Sequence, residues 1–158
     1  MLGLWLLVVF AAFTTQADDS CISNVNLDGY KWDVTEWSAG CARSGCYYHF
    51  KISGSAFDSG IKIPAFAASC SGYKDGDPFV PCKMNDPADD PSLAVGARLQ
   101  DRQLSGPGAH IVVSYKFPDA SQSDTFYNYT GYATSSFNQF VAPEQNFTIT
   151  PTEFAEGV

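Results

Sequence analysis

The chain has 158 residues, of which 45% are hydrophobic and 15% aromatic, so a disordered chain is excluded by composition. Its formal net charge of −8 and its pI of about 4.4 disfavour a phosphate backbone as partner. Nucleic acid is therefore not an expected ligand.

The N-terminal segment predicts a signal peptide. An uncharged apolar run reaches Phe13, and Thr15-Gln16-Ala17 supplies the small residues that a signal peptidase recognises. The run is shorter than the roughly 20 apolar residues of a membrane span, so no membrane anchor is expected. We predict a signal peptide over residues 1–17 and a single secreted β-barrel domain over residues 18–158, acting outside the cell.

Period-two alternation of apolar and polar residues predicts strands along the rest of the chain. In the first strand Tyr30, Trp32 and Val34 face one way, while Lys31 and Thr35 face the other. Glycine, proline, aspartate and serine separate the segments. The predicted strands are 30–37, 46–53, 61–70, 93–100, 109–117, 125–134 and 145–150. The fold class is therefore all-β, a compact antiparallel β-barrel or sandwich stabilised by disulfides.

Five cysteines, all within the first 82 residues, fit an oxidising compartment. The Cys41 to Cys46 segment contains a glycine turn, and the Cys70 to Cys82 segment is rich in turn residues. Each pair is a candidate local disulfide if the turn brings the two Cα atoms close enough. Cys21 is then left over near the predicted mature N-terminus, free to pair with another chain.

The sequence contains few of the residues and motifs that catalytic and metal-binding sites require. Only two histidines occur, and strand alternation places His49 and His110 on solvent-facing sides. Nucleophile elbows, paired-histidine zinc motifs and Cys-x-x-Cys spacing are absent from the sequence. We therefore predict no catalytic residue, no metal and no cofactor.

Acidic residues leave two alternatives open. A pair of carboxylates can hydrolyse a glycosidic bond, but the sequence does not choose a pair among its seventeen acids. Loop carboxylates can bind calcium, although their spacing is not that of the helix-loop-helix site. The loop candidates are Asp75, Asp77, Asp86, Asp89 and Asp90.

Aromatic residues are dense in the segment 126–132. Alternation places Tyr127 and Tyr129 on one side of that strand and Tyr132 on the other. An exposed row of such rings stacks on sugars or anchors a protein interface, so these three tyrosines are candidate ligand-binding residues. The alternative is that one row is core. The sequons at Asn128 and Asn146 are candidate glycosylation sites.

The order of several segments resembles secreted fungal proteins of the Alternaria major allergen type. The segments are Ser20-Cys21, Gly29-Tyr-Lys-Trp-Asp-Val-Thr-Glu-Trp37, Tyr48-His-Phe-Lys-Ile-Ser-Gly54, Phe66-Ala-Ala-Ser-Cys-Ser-Gly72 and Phe79-Val-Pro-Cys82. The likeness covers residues 20–82, with an echo at Asn146-Phe147-Thr148.

That resemblance implies a compact antiparallel β-barrel in which Cys70 pairs with Cys82 and Cys21 joins two protomers in a disulfide-linked homodimer. The chain departs from the pattern by carrying Cys41 and Cys46 and by lacking cysteines after Cys82. Family members are described as allergens, elicitors and effectors that bind plant defence proteins.

Three functions follow as hypotheses. The first is a secreted, non-enzymatic fungal effector or elicitor, allergen-like, that binds an extracellular host defence protein and so contributes to virulence. The second is a carbohydrate-binding or cell-wall module with an exposed aromatic platform. The third is a secreted hydrolase that uses a carboxylate pair.

Overall fold

The structure is a computed structural model, and it describes residues 27–76, 78–86, 90–122, 124–138 and 143–157. The elements in these ranges are β1 Trp32–Ala42, β2 Gly45–Gly54, β3 Phe57–Asp58, β4 Lys62–Ile63, β5 Phe66–Tyr73, β6 Val80–Pro81, β7 Lys83–Met84, β8 Ala94–Leu99, α1 Arg102–Ser105, β9 Ala109–Pro118, β10 Phe126–Ser135, β11 Gln145–Ile149 and β12 Pro151–Gly157.

The strands form two antiparallel five-stranded sheets and a small hairpin. Sheet I has the order β11-β1-β2-β5-β7, sheet II has the order β12-β10-β9-β8-β6, and β3 pairs with β4. The inner faces of both sheets supply the buried core, which defines a sandwich. The all-β prediction is confirmed.

Of the barrel and the sandwich that the sequence analysis left open, the described residues form the sandwich, and the closed barrel implied by the resemblance is wrong. Within the described residues no hydrogen-bonded ladder joins sheet I to sheet II. The reason is that the chain turns a corner at each edge instead of pairing there. Thr150 alone separates β11 of sheet I from β12 of sheet II, and Cys82 alone separates β6 of sheet II from β7 of sheet I. Each corner changes sheet within one residue.

Aromatic side chains fill the space between the sheets. Phe66 of sheet I stacks on Tyr115 of sheet II with ring centroids 4.1 Å apart, and the Tyr115 hydroxyl donates to the carbonyl of Pro64. Trp32 and Trp37 are fully buried from the sheet I side. Burying one such side chain stabilises the fold by roughly 1.5–3 kcal/mol, so the core rows hold the two sheets together.

A bulge in β1 lets both tryptophans face inward. The pairing register with β2 shifts between Thr35 and Ser38, and Glu36 adopts a left-handed backbone with φ of 55°. One extra residue therefore separates Val34 from Trp37, and both side chains are buried. Strict alternation as predicted for this strand holds only up to Thr35.

Two disulfides confirm both candidate pairings. Cys41 and Cys46 are directly opposite residues of the β1–β2 hairpin, and they bond across its two-residue turn. Cys70 of β5 bonds to Cys82 at the β6–β7 corner. The second bridge ties the corner residue to β5, the strand next to the edge of sheet I.

The remaining sequence predictions agree with the structure in part. Each of the seven predicted strands overlaps an observed one, but β12 and the two-residue strands β3, β6 and β7 were not predicted. The signal peptide and Cys21 lie outside the described residues. In the described ranges, no helix has the length and apolarity to cross a membrane.

Removing the two disulfides is expected to have unequal effects. In the chain-entropy description, the 13-residue loop closed by Cys70 and Cys82 contributes about 3 kcal/mol and the six-residue loop closed by Cys41 and Cys46 about 2 kcal/mol. We expect the Cys70→Ala/Cys82→Ala pair to lose more free energy of unfolding than Cys41→Ala/Cys46→Ala. Urea denaturation measures both, and the reverse order would contradict the prediction.

Candidate functional site

Two of the three candidate tyrosines face the core. Tyr129 is 0% exposed and Tyr127 is 9% exposed. Tyr129 stacks on Phe117, and Phe154 of β12 packs against both tyrosines. The interpretation of Tyr127 and Tyr129 as an exposed ligand-binding row is therefore wrong, because their side of β10 faces sheet I.

Tyr132 lies on the opposite side of β10 and is 41% exposed. Its cross-strand partner is Val112 of β9, and the partner of Val112 on the other side is Arg98 of β8. The same solvent-facing side of sheet II carries further aromatic, charged and polar residues. We call this surface the sheet II outer face; its residues are Phe79, Arg98, Val112, Ser114, Lys116, Phe126, Asn128, Thr130, Tyr132 and Glu153.

Arg98 sits at the centre of a row that runs across the strands. Its guanidinium lies over the ring of Phe79, 5.0 Å from the ring centroid, in a cation–π contact. Phe79 is 40% exposed and packs against the backbone of Gly96 on β8. Arg98 makes no salt bridge with any described residue, and its Nε is buried without a hydrogen-bond partner.

The row buries an apolar residue on the solvent side of the sheet. Val112 is nearly inaccessible although it faces outward, since Arg98 and Tyr132 are its neighbours on the adjoining strands. Such a covered position holds the flanking side chains in place. The sheet II outer face is therefore partly organised before any ligand arrives.

A cleft of about 390 Å³ borders this row at one end. Leu104, in the short helix α1, is 87% exposed at the cleft. Asp75 bonds to Arg102 and so attaches the loop that precedes Gly76 to the same helix. The lining residues are Gly76, Arg98, Gln100, Asp101, Leu104 and Ser105.

Charges on the face are mixed. Lys116 lies over Phe126 at 4.4 Å from the ring centroid, a second cation–π contact. Burial raises the pKa of Tyr132, a hydrogen bond to Glu153 raises it further, and the positive charge of Arg98 lowers it. Tyr132 therefore stays a neutral hydroxyl between a cation and an anion.

Sheet I presents a second, smaller aromatic surface. Tyr47 of β2 and Tyr73 of β5 are directly opposite each other, and Tyr73 is 82% exposed. Elsewhere the outer side of sheet I is polar, as in the salt bridge between Lys51 and Glu36 at 2.6 Å. Neither cation–π contact found among the described residues involves Tyr73, which makes it a useful control residue.

The two sequons differ in environment. Asn128 lies on β10, an interior strand of sheet II, half-buried on the sheet II outer face, where it accepts a hydrogen bond from Ser114. Asn146 is exposed on the edge strand β11, and its Oδ1 accepts from the backbone N–H of Glu36. A glycan on Asn146 would project from a sheet edge, whereas one on Asn128 would project from the sheet II outer face.

The histidines are on the outer faces, as predicted. His49 is exposed, and half-buried His110 contacts the Pro107 carbonyl and the Thr134 hydroxyl at 3.0 Å each. Among the residues that the structure describes, no group of three or more His, Cys, Asp or Glu side chains is placed to hold a metal ion. Asp77 and Asp89 of the calcium candidates lie outside those residues.

One carboxylate organises the opposite end of sheet II. Asp119 accepts hydrogen bonds from the backbone and hydroxyl of Ser121 and from the hydroxyl of Tyr127 at 2.8 Å. These bonds hold the pKa of Asp119 below its ordinary value. Its hydrogen-bond partners among the described residues are neutral groups of the fold, so Asp119 has a structural role in the turn after β9.

Comparisons with protein-family models, with curated protein sequences and with solved structures found no match to this chain.

Sequence reasoning missed Phe79 and Arg98. Arg98 is the charged member of an otherwise apolar strand whose alternate residues Val95, Ala97 and Leu99 are buried, so alternation was the available signal for its outward position. Phe79 lies in a loop segment, and no periodic pattern connects it with β8. The row is visible only once β6 is paired with β8.

We expect the folded protein to lose stability at alkaline pH. The pKa values of Tyr48, Tyr127 and Tyr129 are each raised to about 12, by burial for Tyr48 and Tyr129 and mainly by the bond to Asp119 for Tyr127. An unfolded tyrosine ionises near pH 10, so the unfolded chain releases these protons first, and the free energy of unfolding falls as the pH rises from about 10 through about 12.

Tyrosinate absorbance and urea denaturation over that range measure both effects. The variant Asp119→Ala removes the main cause of the Tyr127 shift and should bring one of the three late titrations back towards pH 10. A folded protein in which every tyrosine ionises near pH 10 would contradict the prediction.

Proposed function

We propose that this chain is a secreted, non-enzymatic binding protein that engages an extracellular host defence protein through the sheet II outer face. The observation that carries the proposal is the row of Phe79, Arg98 and Tyr132, in which an arginine that makes no salt bridge to any described residue is held against an aromatic ring. Tyrosine and arginine are enriched among the residues that dominate protein–protein binding energy.

The disulfides and the N-terminal segment support the extracellular part of the proposal. Two intramolecular disulfides suit an oxidising, extracellular environment, and the apolar N-terminal run suits export. The resemblance to secreted fungal proteins supplies the host as expected partner, with elicitation of defence or virulence as the consequence.

Oligomeric state belongs to the same proposal. By the resemblance, Cys21 joins two protomers, and that residue lies outside the described part of the chain. A dimer would present two sheet II outer faces and so raise the apparent affinity for a multivalent or surface-bound partner.

Affinity capture with matched variants tests the binding face. The mature protein, immobilised through its C-terminus, is incubated with extracellular wash fluid from a plant host, the retained protein is identified and purified, and its affinity is measured by titration. We expect Arg98→Gln and Tyr132→Ala to weaken binding by about 30-fold or more each, the size of a hot-spot contribution of about 2 kcal/mol.

Tyr73→Ala is the control for that experiment, because it removes an exposed tyrosine from the other sheet. Its affinity should stay within about twofold of the unchanged protein. Equal losses in Tyr73→Ala and Tyr132→Ala, or no loss in either row variant, would contradict the assignment of the binding face. Turnover of a substrate that a point substitution abolishes would contradict the non-enzymatic role.

A carbohydrate-binding module is the second candidate, and the specific observation in its favour is Tyr132 itself. This ring is exposed on the same face as the polar side chains of Ser114, Asn128 and Thr130, a combination that suits stacking and hydrogen bonding to a sugar chain. The carbohydrate-binding hypothesis from the sequence is therefore kept with Tyr132 as its aromatic residue and without Tyr127 and Tyr129.

Pull-down on chitin and cellulose distinguishes the two candidates. A carbohydrate module is retained on one of the polymers and loses retention in Tyr132→Ala but not in Tyr73→Ala. A protein-binding effector washes through both polymers. Retention that Tyr132→Ala leaves unchanged would exclude this face as the sugar site.

A further inference from the structure

Four buried polar atoms in the interior have no hydrogen-bond partner in the described part of the chain. They are the hydroxyls of Tyr30, Ser59 and Tyr129 and the indole N–H of Trp32. Trp32 begins β1 of sheet I and Tyr30 lies two residues before it. Tyr129 lies on β10 in sheet II, and Ser59 lies in the turn of the β3–β4 hairpin. Three separate parts of the fold thus each contribute unpaired polar atoms.

Ring packing brings these parts to one place. Tyr30 meets Trp32 edge-on with centroids 6.4 Å apart, and its ring also lies 5.1 Å from that of Phe57, two residues before Ser59. Trp32 in turn lies against β10, because a Cβ added to Gly131 would be 3.2 Å from its Cζ3. Gly131 is the next residue after Tyr129 on the inner side of that strand.

Electrostatic effects agree with this geometry. Burial raises the pKa of Tyr30, and the hydrogen-bonding influence of the Trp32 side chain lowers it. Burial raises the pKa of Tyr129 to about 12; the charges of Tyr30 and Tyr127 add to the rise, and the hydrogen-bonding influence of the Ser59 side chain opposes it. Trp32 therefore lies near Tyr30 and Ser59 near Tyr129, but neither pair makes a direct hydrogen bond of ordinary geometry. Both phenols therefore stay neutral hydroxyls at any physiological pH.

The chemistry of the four groups defines what they bind. An indole N–H only donates, whereas each hydroxyl both donates and accepts. None of the four is charged, so they offer an anion or a cation no counter-charge. The matching ligand is small and neutral, and it accepts from Trp32 while donating to a hydroxyl oxygen. Water has this chemistry, and buried waters typically make about three such bonds to otherwise unpaired groups.

We propose that Tyr30, Trp32, Ser59 and Tyr129 form an internal binding site for one or two long-lived water molecules, which connect sheet I, sheet II and the β3–β4 hairpin. The site is independent of the sheet II outer face, since it lies inside the sandwich. It adds hydrogen bonds between the layers to the direct one from the Tyr48 hydroxyl to the Ala97 carbonyl.

The two tryptophans of the mature chain provide a built-in comparison. The indole N–H of Trp37 donates to the carbonyl of Ser136 at 3.0 Å, whereas that of Trp32 has no protein acceptor. In ¹⁵N-labelled mature protein with both disulfides formed, we expect the Trp32 indole proton to show a dipolar cross-peak to a water that tumbles with the protein. The Trp37 indole proton should show none.

A hydroxyl proton that exchanges with solvent can relay such a cross-peak, so its growth is followed from the shortest mixing times at a low temperature, where hydroxyl exchange is slow. A direct contact with a bound water grows linearly from zero time, whereas a relayed one appears only after a lag. Growth after a lag, absence of the cross-peak, or equal behaviour of Trp32 and Trp37 overturns the proposal.

Thermal unfolding gives an independent readout. If the Tyr129 hydroxyl binds internal water, Tyr129→Phe removes satisfied hydrogen bonds and lowers the unfolding midpoint. Tyr48→Phe, which loses the bond from the Tyr48 hydroxyl to the Ala97 carbonyl at 2.8 Å, is the matched reference and should shift in the same direction. A raised midpoint in Tyr129→Phe alone would mean that its hydroxyl is an unpaired buried group, and would overturn the site.

Discussion

The stacking of Phe66 on Tyr115 is the contact on which the arrangement of the two sheets depends. It joins the first residue of β5 to the inner side of β9, and neighbouring rings continue the same layer, with Phe117 and Tyr129 parallel at 5.6 Å. Interior packing of this density tolerates few changes of volume. The inward side of every long strand is therefore buried in the core, and only the outward sides are accessible to a binding partner.

The burial of one side of each strand explains why Tyr132 is exposed while Tyr127 and Tyr129 are not. Alternation correctly divided the strand into two sides, but nothing in a single strand indicates which side meets the other sheet. Both sides of β10 carry aromatic residues, so hydrophobicity alone does not decide. The decision comes from Phe117 and Phe154, which lie on neighbouring strands and pack against one side only.

The long strands were predictable because their alternation extends over at least six residues. The two-residue strands β3, β6 and β7 have no period to detect, and β12 is polar apart from Pro151, Phe154 and Ala155. The sequence also could not predict whether the sheets close into a barrel, since an open sandwich and a barrel require the same alternating strands. The local disulfides were foreseeable from turn residues between close cysteines, whereas the Phe79–Arg98 contact depends on a pairing that brings a loop beside β8.

The corners at Thr150 and Cys82 have a consequence for how the molecule tolerates stress. Because β12 directly follows β11, and β7 directly follows β6, continuous backbone joins sheet I to sheet II at both edges of the sandwich. Sliding one sheet along the other strains both of these connections at once. The Cys70–Cys82 bridge also fastens the β6–β7 connection to β5 of sheet I. Opening of the layers therefore requires the edge strands to detach first, which makes the edges, rather than the aromatic layer, the part of the molecule that determines its lifetime under digestion.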